Sequence, residues 1–180
     1  MPRLIHALSP SDRARLCQHF LKLNDEDRRL RFGGALPEEM IRDYVDGINF
    51  DRDRVLAAFD SQFAVIAVVH VGQVDGTAEL GLSVLPAYRR EGLAQRLIQH
   101  AVKSARAHGC QRLWIHFMSD NAAMAALTRK LGMRVESQQG EADAWLQLPG
   151  PTAVELGVHF YRAQWDAVLG AWRQWLPQVA

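Results

Sequence analysis

From Leu93 onward the apolar residues fall at Leu93, Leu97, Ile98, Ala101, Val102 and Ala105, while Arg96, Gln99, Lys103 and Arg106 fall on the opposite side. Spacings of three and four residues place the first set along one stripe of an α-helix, which His108-Gly109 closes. "RLWIHF" then reads as a buried strand, and "DNAAMAALTRKLGM" as a second helix with Met124, Leu127 and Leu131 in register and Gly132 as its stop. "RVESQQGEADAWLQL" alternates around Gly140 as a hairpin.

The N-terminal half alternates in the same way. "RLIHAL" predicts a short strand, and "SPSDRARLCQHFLKL" a helix with Ser9 at the N-cap, Pro10 in the first turn, Asp12 at N3, and Leu16, Phe20 and Leu23 on one face. The charged stretch "NDEDRRLRFGG" ends at a glycine pair, and a helix restarts at Pro37 with Met40, Ile41, Tyr44 and Val45 at helical spacing, so two helices are expected after the first strand. "RVLAAFD" and "FAVIAVVHV" predict a hairpin turning at Ser61-Gln62, and "AELGLSVL" a further strand after "VDGT". This order predicts an α/β unit inside a partly antiparallel, mixed α+β sheet. One domain is expected over 1–148. "PGP" at 149–151 then breaks the chain, so that 149–180 is read as a linker and a Trp-rich C-terminal helix, in which Val158, Tyr161, Trp165, Val168, Trp172 and Trp175 form an apolar, aromatic-rich face. Such a face predicts packing on the domain or, favoured here, against a second copy in a homodimer.

The 180 residues are 48% hydrophobic with a net charge of +1, which gives no broad attraction toward nucleic acid or an anionic membrane. Any anion site must be local. Cys17 and Cys110 are far apart and the N-terminus lacks the apolar core of a signal peptide, so a soluble, cytoplasmic protein is expected.

A local anion site is what "PAYRREGLA" offers. A strand feeds a loop whose last residues open the Leu93 helix, leaving first-turn amides without intrahelical partners and pointing outward. Gly92 lets a ligand approach the backbone, Ala94 keeps the next turn clear, and Arg89 and Arg90 add positive charge. Neither a P-loop nor a GxGxxG fingerprint is present.

"LSVLPAYRREGLAQRLI" closely resembles the acyl-CoA-binding motif of the GNAT superfamily of N-acyltransferases, in the form Arg89, Gly92, Ala94. "SDNAAMAALTRKLGM" resembles that family's later motif, in which an Asn opens the helix. The resemblance is strongest over 78–135. It implies that the amides from Arg90 to Gln95, including those of Leu93 and Ala94, cradle the pyrophosphate of acetyl-CoA. It further implies that the strand backbone at Leu82, Ser83 and Val84 pairs with pantetheine, and that Asn121 bonds the cofactor arm or simply caps its helix.

The implied reaction is direct transfer of an acetyl group to a primary amine, either a protein lysine or a small molecule. "AELGLSV" resembles the strand of bacterial Pat-type lysine acetyltransferase domains that carries their glutamate, and "LNDEDRRLRFGG" is more loosely similar to a second stretch of those domains. Glu79 is therefore the candidate base. The position after Leu127, a tyrosine acid in many family members, is Thr128 here. Tyr88 and Tyr161 are substitutes that the sequence does not place. The missing tyrosine leaves a nonenzymatic acyl-CoA sensor as the rival reading. His100, His108, Cys110 and His116 match no zinc spacing, so no metal is expected. The acids within "DEDRRLR" predict a self-paired, solvated face rather than a nucleic-acid arm.

Overall fold

The computed structural model describes residues 3–150. Strand β1 (Ile5–Ala7) leads to helices α1 (Arg13–Leu21), α2 (Asp25–Phe32) and α3 (Glu38–Asp46). Strands β2 (Arg54–Phe59), β3 (Val65–Val74) and β4 (Thr77–Val84) follow, then α4 (Leu93–Ala107), β5 (Arg112–Met118), α5 (Ala122–Lys130), β6 (Arg134–Gln138) and β7 (Glu141–Gln147). The strands form one sheet in the order β1-β2-β3-β4-β5-β7-β6. Among the described residues only the β4–β5 pair is parallel, because α4 crosses between those strands; α5 likewise returns β6 in the direction of β5, but β7 lies between them and pairs antiparallel with both.

Two cores cover the two faces. Alternate residues of β3, Val69 and Val71, pack with Leu97, Ile98 and Ala101 of α4 and with Leu113 and Ile115 of β5. Val65 and Val68 pack instead with Leu16 and Phe20 of α1 and with Ile41 and Val45 of α3. Leu97 and Ile98 are fully buried, and each such side chain contributes about 1.5–3 kcal/mol of burial free energy. The fold is the mixed α/β arrangement expected from the sequence. No helix among the described residues is long and apolar enough to cross a membrane. The expected C-terminal helix and its dimer seam lie outside the described residues.

Four local expectations change. Three helices, not two, follow β1, because the charged stretch is a helix of its own. Asn24 Oδ1 accepts from Asp27 N–H at 2.8 Å, acidic residues fill the first turn and Arg29 and Arg31 the last, and Gly33 closes it at φ 79°. Capping and the helix dipole support α2 where no apolar stripe does. Arg29 pairs with Glu26 at 2.8 Å within the run, but also with Asp120 at 2.7 Å, and buried Asp27 pairs with Arg89, so the run is self-paired only in part and otherwise ties α2 to the rest of the fold.

At the start of α1, Ser9 and Asp12 form the anticipated box, with Ser9 N–H donating to Asp12 Oδ2 at 3.0 Å, but Pro10–Asp12 is a 3-10 turn and the α-helix begins at Arg13. The β2–β3 connection is wider than the two-residue turn at Ser61-Gln62. Asp60 Oδ1 accepts from the amides of Gln62 and Ala64, each at 2.9 Å, and Phe63 takes φ 60°. A side-chain acceptor thus does the work that Gly or Asn does in tighter turns. Met40 is 51% exposed, leaving Ile41 and Val45 as the buried residues of α3.

Candidate active site

Strands β4 and β5 pair only from Thr77↔Arg112 to Glu79↔Trp114 and then diverge. Leu85 N–H donates to Ile66 C=O. In an antiparallel pair hydrogen-bonded residues alternate, so Ser83 and Gly81 also turn their peptide groups to β3. Leu82 and Val84 therefore present theirs to the opening edge. Arg89 Nε uses one of them, donating to Val84 C=O at 3.1 Å.

The loop after β4 leads into α4 through Arg90 at φ 63° and Gly92 at φ 75°. Arg96 N–H is the first amide to close on the helix, donating to Gly92 C=O at 3.1 Å. None of the six consecutive amides from Arg90 to Gln95 meets a backbone acceptor among the described residues. Five of these six residues, all but Glu91, border one cleft of about 570 Å³, and every residue proposed for the cosubstrate lines it: Leu82, Ser83, Val84, Arg89, Arg90, Gly92, Leu93, Ala94, Gln95 and Asn121.

Within that cleft the individual roles differ. Arg89 does not reinforce the helix dipole as expected, because its guanidinium is spent on Asp27 of α2, whose carboxylate is 8% exposed. It ties α2 to the loop instead. The Ser83 hydroxyl lies 2.8 Å from His19 Nε2, and His19 Nδ1 lies 3.1 Å from Val65 C=O. A carbonyl only accepts, so Nδ1 carries the proton and Ser83 donates to Nε2. Burial lowers the His19 pKa to about 4, with a smaller push from the Arg31 charge. Asn121 Oδ1 caps α5 by accepting from Met124 N–H at 3.0 Å, which leaves its Nδ2 for a ligand.

Thr128 is fully buried and donates to Ala125 C=O at 3.1 Å, so it offers no acid to the cleft. Tyr88 lines the cleft, but its hydroxyl is turned to Asp60 Oδ2 at 3.4 Å. Tyr161 lies outside the described residues. Met124 and Leu127, in register on α5, pack against the core and also line the cleft.

Glu79 lies elsewhere, exposed on β4 and lining a second cavity of about 700 Å³. Leu30, Arg31, Leu82 and Met124 border both spaces and mark where they join. His116 also lines the second cavity and pairs with Asp143 at 3.0 Å. Sequence reasoning missed Arg31, Tyr44, Asp53 and His70, which border the same cavity. Tyr44 had been read only as part of a helix face, and its partners come from other elements.

This combination of a splayed β4–β5 edge and an open turn of amides fits the matches to known proteins. The family model described as the acetyltransferase (GNAT) family matches residues 20–133. The chain belongs to that family.

The GNAT chain is 33% identical over 70 residues to the ribosomal protein bS18-alanine N-acetyltransferase of Escherichia coli K12, a stretch that is 39% of this chain and 45% of that enzyme. The match therefore spans less than half the length of that relative. Among solved structures, the GNAT domain of S. lividans PAT superposes with a TM-score of 0.70 at 21% identity, over 80% of this chain and 89% of that one. The spermidine N-acetyltransferase of Vibrio cholerae, solved with CoA and spermine, gives a TM-score of 0.65 at 17% identity, over 81% and 95% of the two chains.

Proposed function

We propose that this protein is an acetyl-CoA-dependent N-acetyltransferase acting on a primary amine. The observation that carries the reading is the run of six uncommitted amides from Arg90 to Gln95, of which all but Glu91 belong to residues bordering the same cleft as the open edge of β4. Aligned N–H groups at a helix start are an anion site, and a diphosphate is the guest that spans so many. Leu82 and Val84 would add pantetheine to the sheet as a further strand. The cleft runs into the Glu79 cavity at Leu82, so an acyl group reaching that junction would meet an acceptor held on the other side.

Alignment of two bound reactants supplies much of the rate in such a transfer, and the remaining need is for the ammonium proton to leave. Glu79 is the proposed base, directly or through water. The leaving thiol has a pKa near 8.5, so it needs little acid assistance and Thr128 is no obstacle. The acceptor is a protein lysine, a protein N-terminus or a small amine; the bS18-alanine enzyme and the spermidine enzyme each illustrate one of these classes among the relatives.

The rival reading, an acyl-CoA sensor, draws its support from Thr128 alone. Release of free thiol from acetyl-CoA across a panel of amines and lysine peptides separates the two. Turnover with any acceptor supports the enzyme, whereas tight CoA binding with no turnover supports the sensor.

A further inference from the structure

Four polar side chains bordering the Glu79 cavity form one continuous chain. Arg31 Nη2 donates to the Tyr44 oxygen at 2.9 Å, the Tyr44 hydroxyl lies 2.6 Å from His70 Nδ1, and His70 Nε2 lies 3.3 Å from Asp53 Oδ2. Their chemistry fixes each proton. A guanidinium only donates and a carboxylate only accepts, so His70 Nε2 carries the hydrogen shared with Asp53, and Nδ1 is the bare nitrogen at which Tyr44 aims its own. Tyr44 lines the cavity, and with Arg31 donating to it and its own hydrogen given to His70 its oxygen keeps one further acceptor position.

We propose that Tyr44, backed by His70 and Asp53, is a second proton acceptor for the amine substrate, working beside Glu79. This rests on the acetyltransferase reading. Turning an alkylammonium into an amide removes two protons from one nitrogen. Glu79 takes the first, which frees the nitrogen lone pair. The C–N bond then forms, the C–S bond breaks, and the second proton passes to the Tyr44 oxygen as the tyrosine's own proton moves to His70 Nδ1. Ammonium, carboxylate and neutral imidazole thus become amide, carboxylic acid, imidazolium and CoA thiolate, with zero net charge on both sides. Water then returns one proton to the thiolate and carries the other away.

The surroundings suit a group that accepts a proton transiently. Burial, helped by the Arg31 charge, lowers the His70 pKa against the opposing pull of Asp53, so the ring is neutral and receptive at pH 7. Burial disfavours the Asp53 charge, but hydrogen bonds from Arg52 and attraction to His70 outweigh it and hold that carboxyl below the usual range. The charged groups around His70 are therefore Arg31 from α2 and Arg52 and Asp53 ahead of β2, while Glu79, His116 and Glu141 line the same cavity. Tyr44 would touch the substrate; His70 and Asp53 act through it.

The test is steady-state thiol release by the full chain with its best amine, across the acid and neutral range. Tyr44→Phe and His70→Gln should each lower kcat by about 10²-fold, the scale of a lost proton acceptor, with KM for acetyl-CoA unchanged. Both should lose the acid limb that neutral His70 imposes on the pH profile. The double variant should be no worse than either single one, because the residues work in series. A His70→Gln protein that matches the parent in kcat and pH profile overturns the proposal, and it also decides the matter if Tyr44→Phe proves poorly folded. A parent that acetylates no amine overturns the acetyltransferase reading and this proposal together, an outcome distinct from an active parent with an equally active variant.

Discussion

The guanidinium of Arg31 lies against Gly81, in the space a side chain there would take: a Cβ at position 81 would stand 2.2 Å from Arg31 Nη2 and 2.3 Å from Cζ. The absence of a side chain on β4 thus lets a cation from α2 rest on the sheet where the two cavities meet. The rings of Phe32, Phe20 and Tyr44 surround it, the nearest centroid being 4.8 Å away. Such contacts hold a cation in place with few hydrogen bonds.

Gly81→Ala should therefore displace Arg31 and break its bond to Tyr44. The clash is with the end of a flexible side chain, so the melting temperature should move little. Turnover should fall at least tenfold, through loss of the Arg31–Tyr44 contact, while acetyl-CoA still protects against melting. Unchanged kinetics in this variant would show that Arg31 has no part in the reaction.

Gly92 holds φ 75° at the mouth of the amide run, with nothing within 4 Å of where a Cβ would be. Gly92→Glu would put a strained backbone and a negative charge into that space. In the parent, acetyl-CoA should raise the melting temperature in proportion to the logarithm of its excess, and a pantetheine fragment lacking the pyrophosphate should do so far less. The variant should lose the shift. A parent indifferent to millimolar acetyl-CoA would sink the acetyltransferase reading.

Glu79→Gln should lower turnover at neutral pH by about 10²-fold and recover in part as pH rises and free amine, with its pKa near 10.4, supplies itself. Acetyl-CoA affinity should hardly change, since Glu79 borders only the other cavity among the two that meet at Leu82. Parent-like rates would reduce Glu79 to a surface residue of β4.

His19 makes the fold sensitive to acid. Its pKa is about 4 in the folded chain against the 6.5 of a free imidazole. The unfolded chain takes up the proton first as pH falls, so the stability held by the neutral ring is intact above pH 6.5 and drains away toward pH 4. The loss is on the order of 3 kcal/mol. Urea unfolding of the parent and of His19→Gln at several pH values would measure it as a difference between the two curves. Parallel curves through that window would mean that the buried ring titrates freely.

The sequence by itself determined whatever neighbours along the chain decide. The apolar stripe of α4, the apolar run of β3, the Ser9–Asp12 box and the open amides at the start of α4 all depend on spacings of a few residues, which backbone periodicity converts directly into faces and caps. Helix α2 was legible in the same local terms, through Asn24, the acid-to-base order and Gly33, but it carries no apolar stripe and so escaped a reading guided by hydrophobicity. Only the tertiary structure decided how those pieces meet. Asp27 takes the charge of Arg89 across 62 positions, and His70 joins Tyr44 across 26. Thr128 is buried in the core, and Arg31 settles onto Gly81. Each of these contacts depends on the packing of helices onto a shared sheet, and that packing is set by the sum of buried surface rather than by the residues that end up touching.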